Sequence, residues 1–326
     1  MEKREFILRV IIAIVFLLVI IPVILLVIQR NDFLYGITSV AILATISAGV
    51  WLSFYMGRIN MGQGAYALIG AYTTAVLVVQ YDISFWIALF VSGFVAAFFS
   101  ILIGLPILRL RGVYFSMVTL TLTEVVRLIA IALVPLTNGP RGITNIPLPG
   151  ELSLFGITLI PDFATLQNSK IAFYYLAVVV MIVAFAIVYR LVNSRTGILL
   201  KSLQQNEELA SSFGVNIAYL RVISYAISSF LGGIGGAIFI NLTQSVYPTT
   251  FQVADSINYM LYTFLGGLAY VFGPILGAFV LYFSWDMLFI FKEYQLLIYS
   301  SIMILLMLFL PNGILSLRFK KWERLF

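Results

Sequence analysis

Four groups of residues in this chain have types and spacings that could do chemistry. Glu124 and Arg127 stand three apart inside an apolar run, so a helix puts them on one face. Asn60 and Gln63 lie among glycines in GRINMGQGAYALIGAY, from Gly57 to Tyr72. Glu207 and Glu208 open a short polar run that closes at Gly214. Asn138 and Arg141 sit in the turn-rich run TNGPRG. None of these is a nucleophile with its base. The chain has no cysteine and no histidine, which removes thiolate chemistry, disulfides, histidine-ligated zinc and any histidine general base. An intramembrane enzyme would have to work with carboxylates, and these are too scattered for an obvious pair. No G-x-x-x-x-G-K-[ST] run is present, so any ATP hydrolysis tied to this chain belongs to another polypeptide.

The elements that position these groups are membrane helices. The sequence has 326 residues, 62% of them hydrophobic and only 10% charged, with a mean hydropathy of +1.08. Soluble domains carry about 25% charged residues. A water-soluble core cannot absorb this much apolar surface, so the solvent is lipid. Aromatic residues, at 15%, suit anchoring at the membrane interface. The net charge of +6 comes from basic residues clustered beside apolar runs. That reads as membrane orientation and gives no reason to expect a nucleic-acid partner.

The fold class expected is an all-α membrane protein, a polytopic bundle of about ten transmembrane helices with both termini cytoplasmic. The expected spans are Val10–Ile28, Leu34–Met56, a third continuing from the glycine-rich stretch to Gln80, Phe85–Leu108, Val113–Val134, Ile171–Tyr189, a seventh from Ile217, Ser256–Leu265, Ile275–Ile290 and Tyr294–Leu310. The first is too long for the apolar core of a signal peptide and no small-residue cleavage site follows it. The eighth is short for a span. The backbone is expected to break within the glycine-rich stretch Gly57–Tyr72, which a membrane permits only inside protein or beside water. Arg58, Arg109, Arg111, Arg190, Arg195, Lys201 and the tail cluster fall on the side assigned to the cytoplasm, as the positive-inside rule requires. The whole chain, 1–326, reads as one transmembrane domain. It carries an outer loop at 135–169 and a cytoplasmic loop at 193–216.

Each group has a plain reading beside the functional one. Asn60, Gln63, Gly64, Gly232 and Gly236 are candidates for lining a pore, or they are small and polar because helices cross closely there. Glu124 and Arg127 form an intramembrane pair that neutralises itself and pins its helix. An ion-coupled secondary transporter would show more unpaired acids. The 193–216 loop is a polar island between long apolar runs, either an ordinary connection or a docking element for a partner outside the bilayer. Asn138 and Arg141 either receive a soluble partner or belong to a lid over the pore mouth.

Several segments resemble one family. Glu208-Leu209-Ala210-Ser211-Ser212-Phe213-Gly214 is similar to the Glu-Ala-Ala-x-x-x-Gly loop of ABC importer permeases, with Leu209 in place of the first alanine. NMGQGAY at Asn60–Tyr66, LRLRGVYFSMVTL at Leu108–Leu120, TNGPRGI at Thr137–Ile143, SRTG at Ser194–Gly197, LGG with FGP at Leu265–Pro274 and FLPNG at Phe309–Gly313 occur in the order found in the LivM-type permease of branched-chain amino acid ABC importers. The resemblance implies a permease subunit that forms half of a translocation path for branched-chain amino acids or related small polar solutes. Urea and short amides are alternatives within the family. It implies that Glu207, Glu208, Ala210 and Gly214 serve ATPase coupling. The implied partners are a second permease of LivH type, two cytoplasmic ABC ATPases that carry the ATP and Mg, and an extracytoplasmic substrate-binding protein, for which the outer-loop residues Asn138 and Arg141 are the docking candidates. The implied location is the prokaryotic inner membrane.

Overall fold

The computed structural model describes residues 31–154, 157–166 and 168–316. The expected first span, 10–28, and the basic tail after 316 lie outside the described residues. Helix α1, Asn31–Tyr55, has 25 residues. At 1.5 Å per residue it is about 37 Å long, enough for a hydrocarbon core of about 30 Å. It is followed by α2 (Gln63–Val79), α3 (Phe85–Ile107), α4 (Val113–Ala132), the one-turn α5 (Val134–Thr137), α6 (Ser169–Val192), α7 (Arg195–Gln205), α8 (Glu207–Ser212), α9 (Ile217–Thr243), α10 (Val253–Gly266), α11 (Gly273–Met287) and α12 (Gln295–Phe309). The chain is an all-α membrane protein, with six stretches among the described residues long and apolar enough to cross a bilayer.

Those six are α1, α3, α4, α6, α9 and the continuous segment Gly273–Phe309. The last holds two helices, α11 and α12, at the places of the spans expected at 275–290 and 294–310. A 3-10 turn, Leu288–Tyr294, joins α11 to α12, and inside it Lys292 has φ 42° and ψ −103°. Each of these helices has 15 residues, about 22 Å, less than the core thickness. Helix α10 has 14 residues, again shorter than a straight span. Helix α2 is apolar, with 17 residues.

The segment 135–169, expected as an outer loop, is not helical throughout. After α5 and the 3-10 turn Gly139–Arg141, strand β1 (Ile143–Thr144) pairs antiparallel with β4 (Ser245–Val246), which follows α9. Strands β2 (Leu152–Leu154) and β3 (Ile157–Ile160) pair with each other. Prolines keep this segment from continuing a helix, and its backbone groups find partners in short ladders. Gly142 sits at φ 66°, and a Cβ there would run into the Val246 carbonyl. Glycine is therefore required for β1 to approach β4.

Helix α9 is the axis of the bundle and packs against α1, α2 and α3. The four glycines Gly232, Gly233, Gly235 and Gly236 are all buried on it. A Cβ on Gly233 would stand 2.8 Å from the Ser92 carbonyl oxygen of α3, and one on Gly236 would strike the Ala67 carbonyl of α2. Lipid gives no hydrophobic drive between helices, so close backbone packing of this kind holds them together. Gly236→Val is expected to force α2 from α9 and to destabilise the chain by about 3 kcal/mol, the upper range for overpacking. Thermal unfolding of the purified protein in detergent checks this, and an unchanged midpoint contradicts the close crossing.

Candidate functional site

The polar island folds as two short helices under the bundle. Ser194 caps α7 by accepting from the Gly197 backbone N–H, and Asn206 caps α8 by accepting from Leu209 N–H at 3.0 Å. Both are the residue types that supply a side-chain acceptor to an unpaired helix N–H. Helix α8 stops at a left-handed turn. Gly214, at φ 78°, donates to the Ser211 carbonyl at 2.9 Å, and Val215 donates to the Ala210 carbonyl at 3.3 Å. This is the Schellman arrangement, in which glycine takes a backbone conformation costly to other residues. A Cβ on Gly214 would meet nothing, so the requirement is conformational and not one of space.

Three arginines from three different places converge on Glu207, the first residue of α8. Arg221 of α9 places Nη2 2.5 Å from Oε2. Arg58, in the break between α1 and α2, approaches Oε2 at 3.5 Å, and Arg111, in the turn between α3 and α4, approaches Oε1 at 3.5 Å. Arg58 and Arg221 are buried, whereas the Arg111 side chain is 65% exposed. The Nε atoms of both buried arginines have no hydrogen-bond partner among the described residues. One carboxylate thus answers three guanidinium groups. Burial pushes the Glu207 carboxyl up, but the Arg221 hydrogen bond and the charges of Arg221, Arg111 and Arg58 outweigh it and hold the group below the ordinary carboxylate range.

The other side of α8 is open. Glu208 is exposed, Leu209 is 56% exposed and Phe213 is 79% exposed, while Ala210 is buried against the bundle. Leu209 and Phe213 are four apart and form one apolar ridge. Ile198 of α7 and Tyr219 of α9 add to the exposed apolar surface. The geometry therefore divides the four expected coupling residues. Glu207 and Ala210 face the bundle, Glu208 faces out, and Gly214 ends the helix.

The expected pore-lining residues lie elsewhere and are enclosed. Asn60 and Gln63 have no exposed surface. Asn60 donates to the Gln63 side-chain carbonyl at 3.0 Å and accepts from Gly62 N–H at 2.9 Å. Gln63 donates in turn to the Ser228 backbone carbonyl of α9 at 2.8 Å. Gly64 N–H donates to Ser256 of α10 at 3.0 Å. A Cβ on Gly232 would press on the Gln63 amide at 2.8 Å, and Gly236 abuts α2. Within this chain these five residues pack helices and satisfy a broken backbone. They do not face an open channel in it.

Glu124 and Arg127 do pair. Arg127 Nε donates to Glu124 Oε2 at 2.9 Å and Nη2 to Oε1. The pair does not lie inside the bundle as a helix pin would, for 40% of the Glu124 side chain and 25% of the Arg127 side chain are exposed. Asn138, at φ 59°, and Arg141 are exposed on the outer loop. Sequence reasoning took Arg58 and Arg111 only as orientation charges, and it missed Arg221. The available signal was an arginine five residues into an apolar helix, where a charge needs a partner.

Residues 33–310 match the family described as branched-chain amino acid transport system / permease component. The chain is 31% identical over 276 residues to the high-affinity branched-chain amino acid transport system permease protein LivM of Escherichia coli, covering 80% of this chain and 64% of that protein. The chain thus spans under two thirds of that relative's length. It is 23% identical over 306 residues to the probable branched-chain amino acid transport permease protein LivH of Methanocaldococcus jannaschii, covering 87% of this chain and 91% of the relative. It is 25% identical over 252 residues to the nucleoside ABC transporter permease protein NupC of Lactococcus lactis, covering 68% and 76%. No solved structure matches the chain. An all-α membrane bundle with a match across 33–310 belongs to the branched-chain amino acid transport system permease component family.

Proposed function

We propose that the chain is the LivM-type permease subunit of an ATP-driven importer of branched-chain amino acids or related small polar solutes in a prokaryotic inner membrane. The observation that carries this reading is α8. It is a short capped helix outside the bundle, apolar on its open side at Leu209 and Phe213 and tied on its inner side through Glu207 to α9 and to the turns before α2 and α4. A helix built this way suits a transport ATPase on one side and moves three membrane elements on the other. ATP and Mg belong to two such ATPases. The end of the bundle that carries α8 is then cytoplasmic, as are both termini, and the spans number about ten. A second permease of LivH type completes the path, and a substrate-binding protein meets the outer loop at Asn138 and Arg141.

Phe213→Asp places a charge on the apolar ridge and is expected to abolish co-purification of the ATPases while the two permeases stay together. Retention of the ATPases removes α8 as their docking element. Glu207→Gln keeps the shape of the side chain but removes the charge that gathers three arginines. Uptake per ATP hydrolysed in proteoliposomes is expected to fall about tenfold, in line with a charge-assisted contact of about 1.5–3 kcal/mol. Unchanged stoichiometry argues against transmission through Glu207. The ordinary carboxylate value is 4.5 and the folded value lies below it, so the clamp's contribution is complete above the ordinary value and is lost only as pH falls through the lowered one. Coupling is therefore expected to be flat across neutral pH. Arg141→Glu is expected to weaken association of labelled binding protein with the assembled transporter in nanodiscs, more so at low ionic strength. An affinity unchanged at two salt concentrations leaves Arg141 without a docking role.

A further inference from the structure

Glu124 and Arg127 lie within the membrane-crossing helix α4. They are also part-exposed on the bundle's outer surface. The open face of α3 carries Phe90, Phe94, Phe98, Leu102 and Leu105, and that of α6 carries Val179, Val183 and Ile187. The open face of α4 is apolar as well at Met117, Val118, Val125, Leu128 and Ile129, with Thr121 and the part-exposed Glu124 among them. An ionisable pair within a membrane-crossing helix is a functional candidate by default. Beside the pair on α4 runs an open groove of about 290 Å³, lined by Met117, Val118, Thr121, Leu122 and Val125, with Ile107 from α3.

We infer that the Glu124–Arg127 pair and the apolar groove next to it form a transient site for an aliphatic α-amino acid in its zwitterionic form. The inference rests on the permease reading above and names the group that reads the substrate. The pair is the complement of a zwitterion. A guanidinium donates two parallel hydrogen bonds to an α-carboxylate, and a glutamate carboxylate accepts from an α-ammonium. The groove offers apolar walls to a branched aliphatic side chain one turn from those charges. Empty, the pair closes on itself with two hydrogen bonds and stays neutral. Occupied, it exchanges that internal pairing for two pairings with the substrate and stays neutral again. No step leaves an unpaired charge in a low-dielectric place, and the exchange keeps binding weak enough for release.

The test uses the complete transporter, with its second permease, ATPases and binding protein, in proteoliposomes. The probe is a leucine analogue with a diazirine in its side chain, loaded on the binding protein and irradiated during turnover. The site predicts a label within 113–132, on the groove residues, and loss of that label in Glu124→Gln/Arg127→Met. The double variant avoids a stranded charge and is expected to assemble as the wild-type chain does. Its uptake of leucine is expected to fall by at least about tenfold, as loss of charge-assisted hydrogen bonds implies. Thr121→Trp, which fills the groove and keeps the pair, is expected to remove the label as well. Label confined to other helices, or label and uptake unchanged in the double variant, overturns the site. Loss of the second permease from the double variant also overturns it, for the pair is then an assembly contact. Absence of ATP-driven uptake by the wild-type complex overturns the permease reading, and the site falls with it. Uptake by the wild type that the variants share overturns the site alone.

Discussion

Without water, a broken backbone must find all its partners in protein, and the stretch Gly57–Gly62 is such a break. The turn before α2 leaves peptide groups that neither α1 nor α2 can satisfy. Side chains from other helices do it. Ser116 donates to the Ile59 carbonyl at 2.9 Å, and Thr119 accepts from Met61 N–H at 3.1 Å, both from α4. Gln63 then ties the same region to α9. Ser228 donates to the Gly49 carbonyl at 2.7 Å, which adds α1. A polar group left unmet here costs several kcal/mol, so four helices are fixed by the needs of one short segment. Glycine at Gly49 and Gly232 leaves room for the Gln63 amide to reach its acceptors.

The clamp on Glu207 obeys a different balance. Three guanidinium groups around one carboxylate are a poor way to gain stability, since desolvation of charge offsets most of the attraction. Removing the carboxylate is another matter, because it leaves buried positive charges with no counter-ion. Groups arranged this way respond sharply to a small displacement of the carboxylate. The arginines come from different elements, so that response is shared by α9, the approach to α2 and the turn before α4.

Much of this was legible in the chain, and the reasons for the misses are physical. Apolar runs located α1, α3, α4, α6 and α9 closely, since hydropathy is what a bilayer selects. The two helices within Gly273–Phe309 were legible too, because the charged pair Lys292–Glu293 interrupts the apolar run at the place where the backbone breaks. Asn60, Gln63 and Gly232 suggested a pore, because small and polar residues serve a tight crossing and a water-lined path equally well. The convergence of Arg58 and Arg111 on Glu207 and the pairing of Ile143–Thr144 with Ser245–Val246 join residues about a hundred positions or more apart. Local pattern carries no trace of such pairings. The polar island, by contrast, was visible because its caps and its closing glycine are local.

Helix α9 joins features described separately. Its 27 residues measure about 40 Å. Arg221 grips Glu207 near one end, β4 holds the outer loop just past the other, and the glycine crossing with α2 and α3 lies between. A rod held so has a fulcrum. A rigid rod pivoting there would carry a displacement of α8 to the segment around β1 in the opposite sense, with the close backbone crossing at the point that moves least.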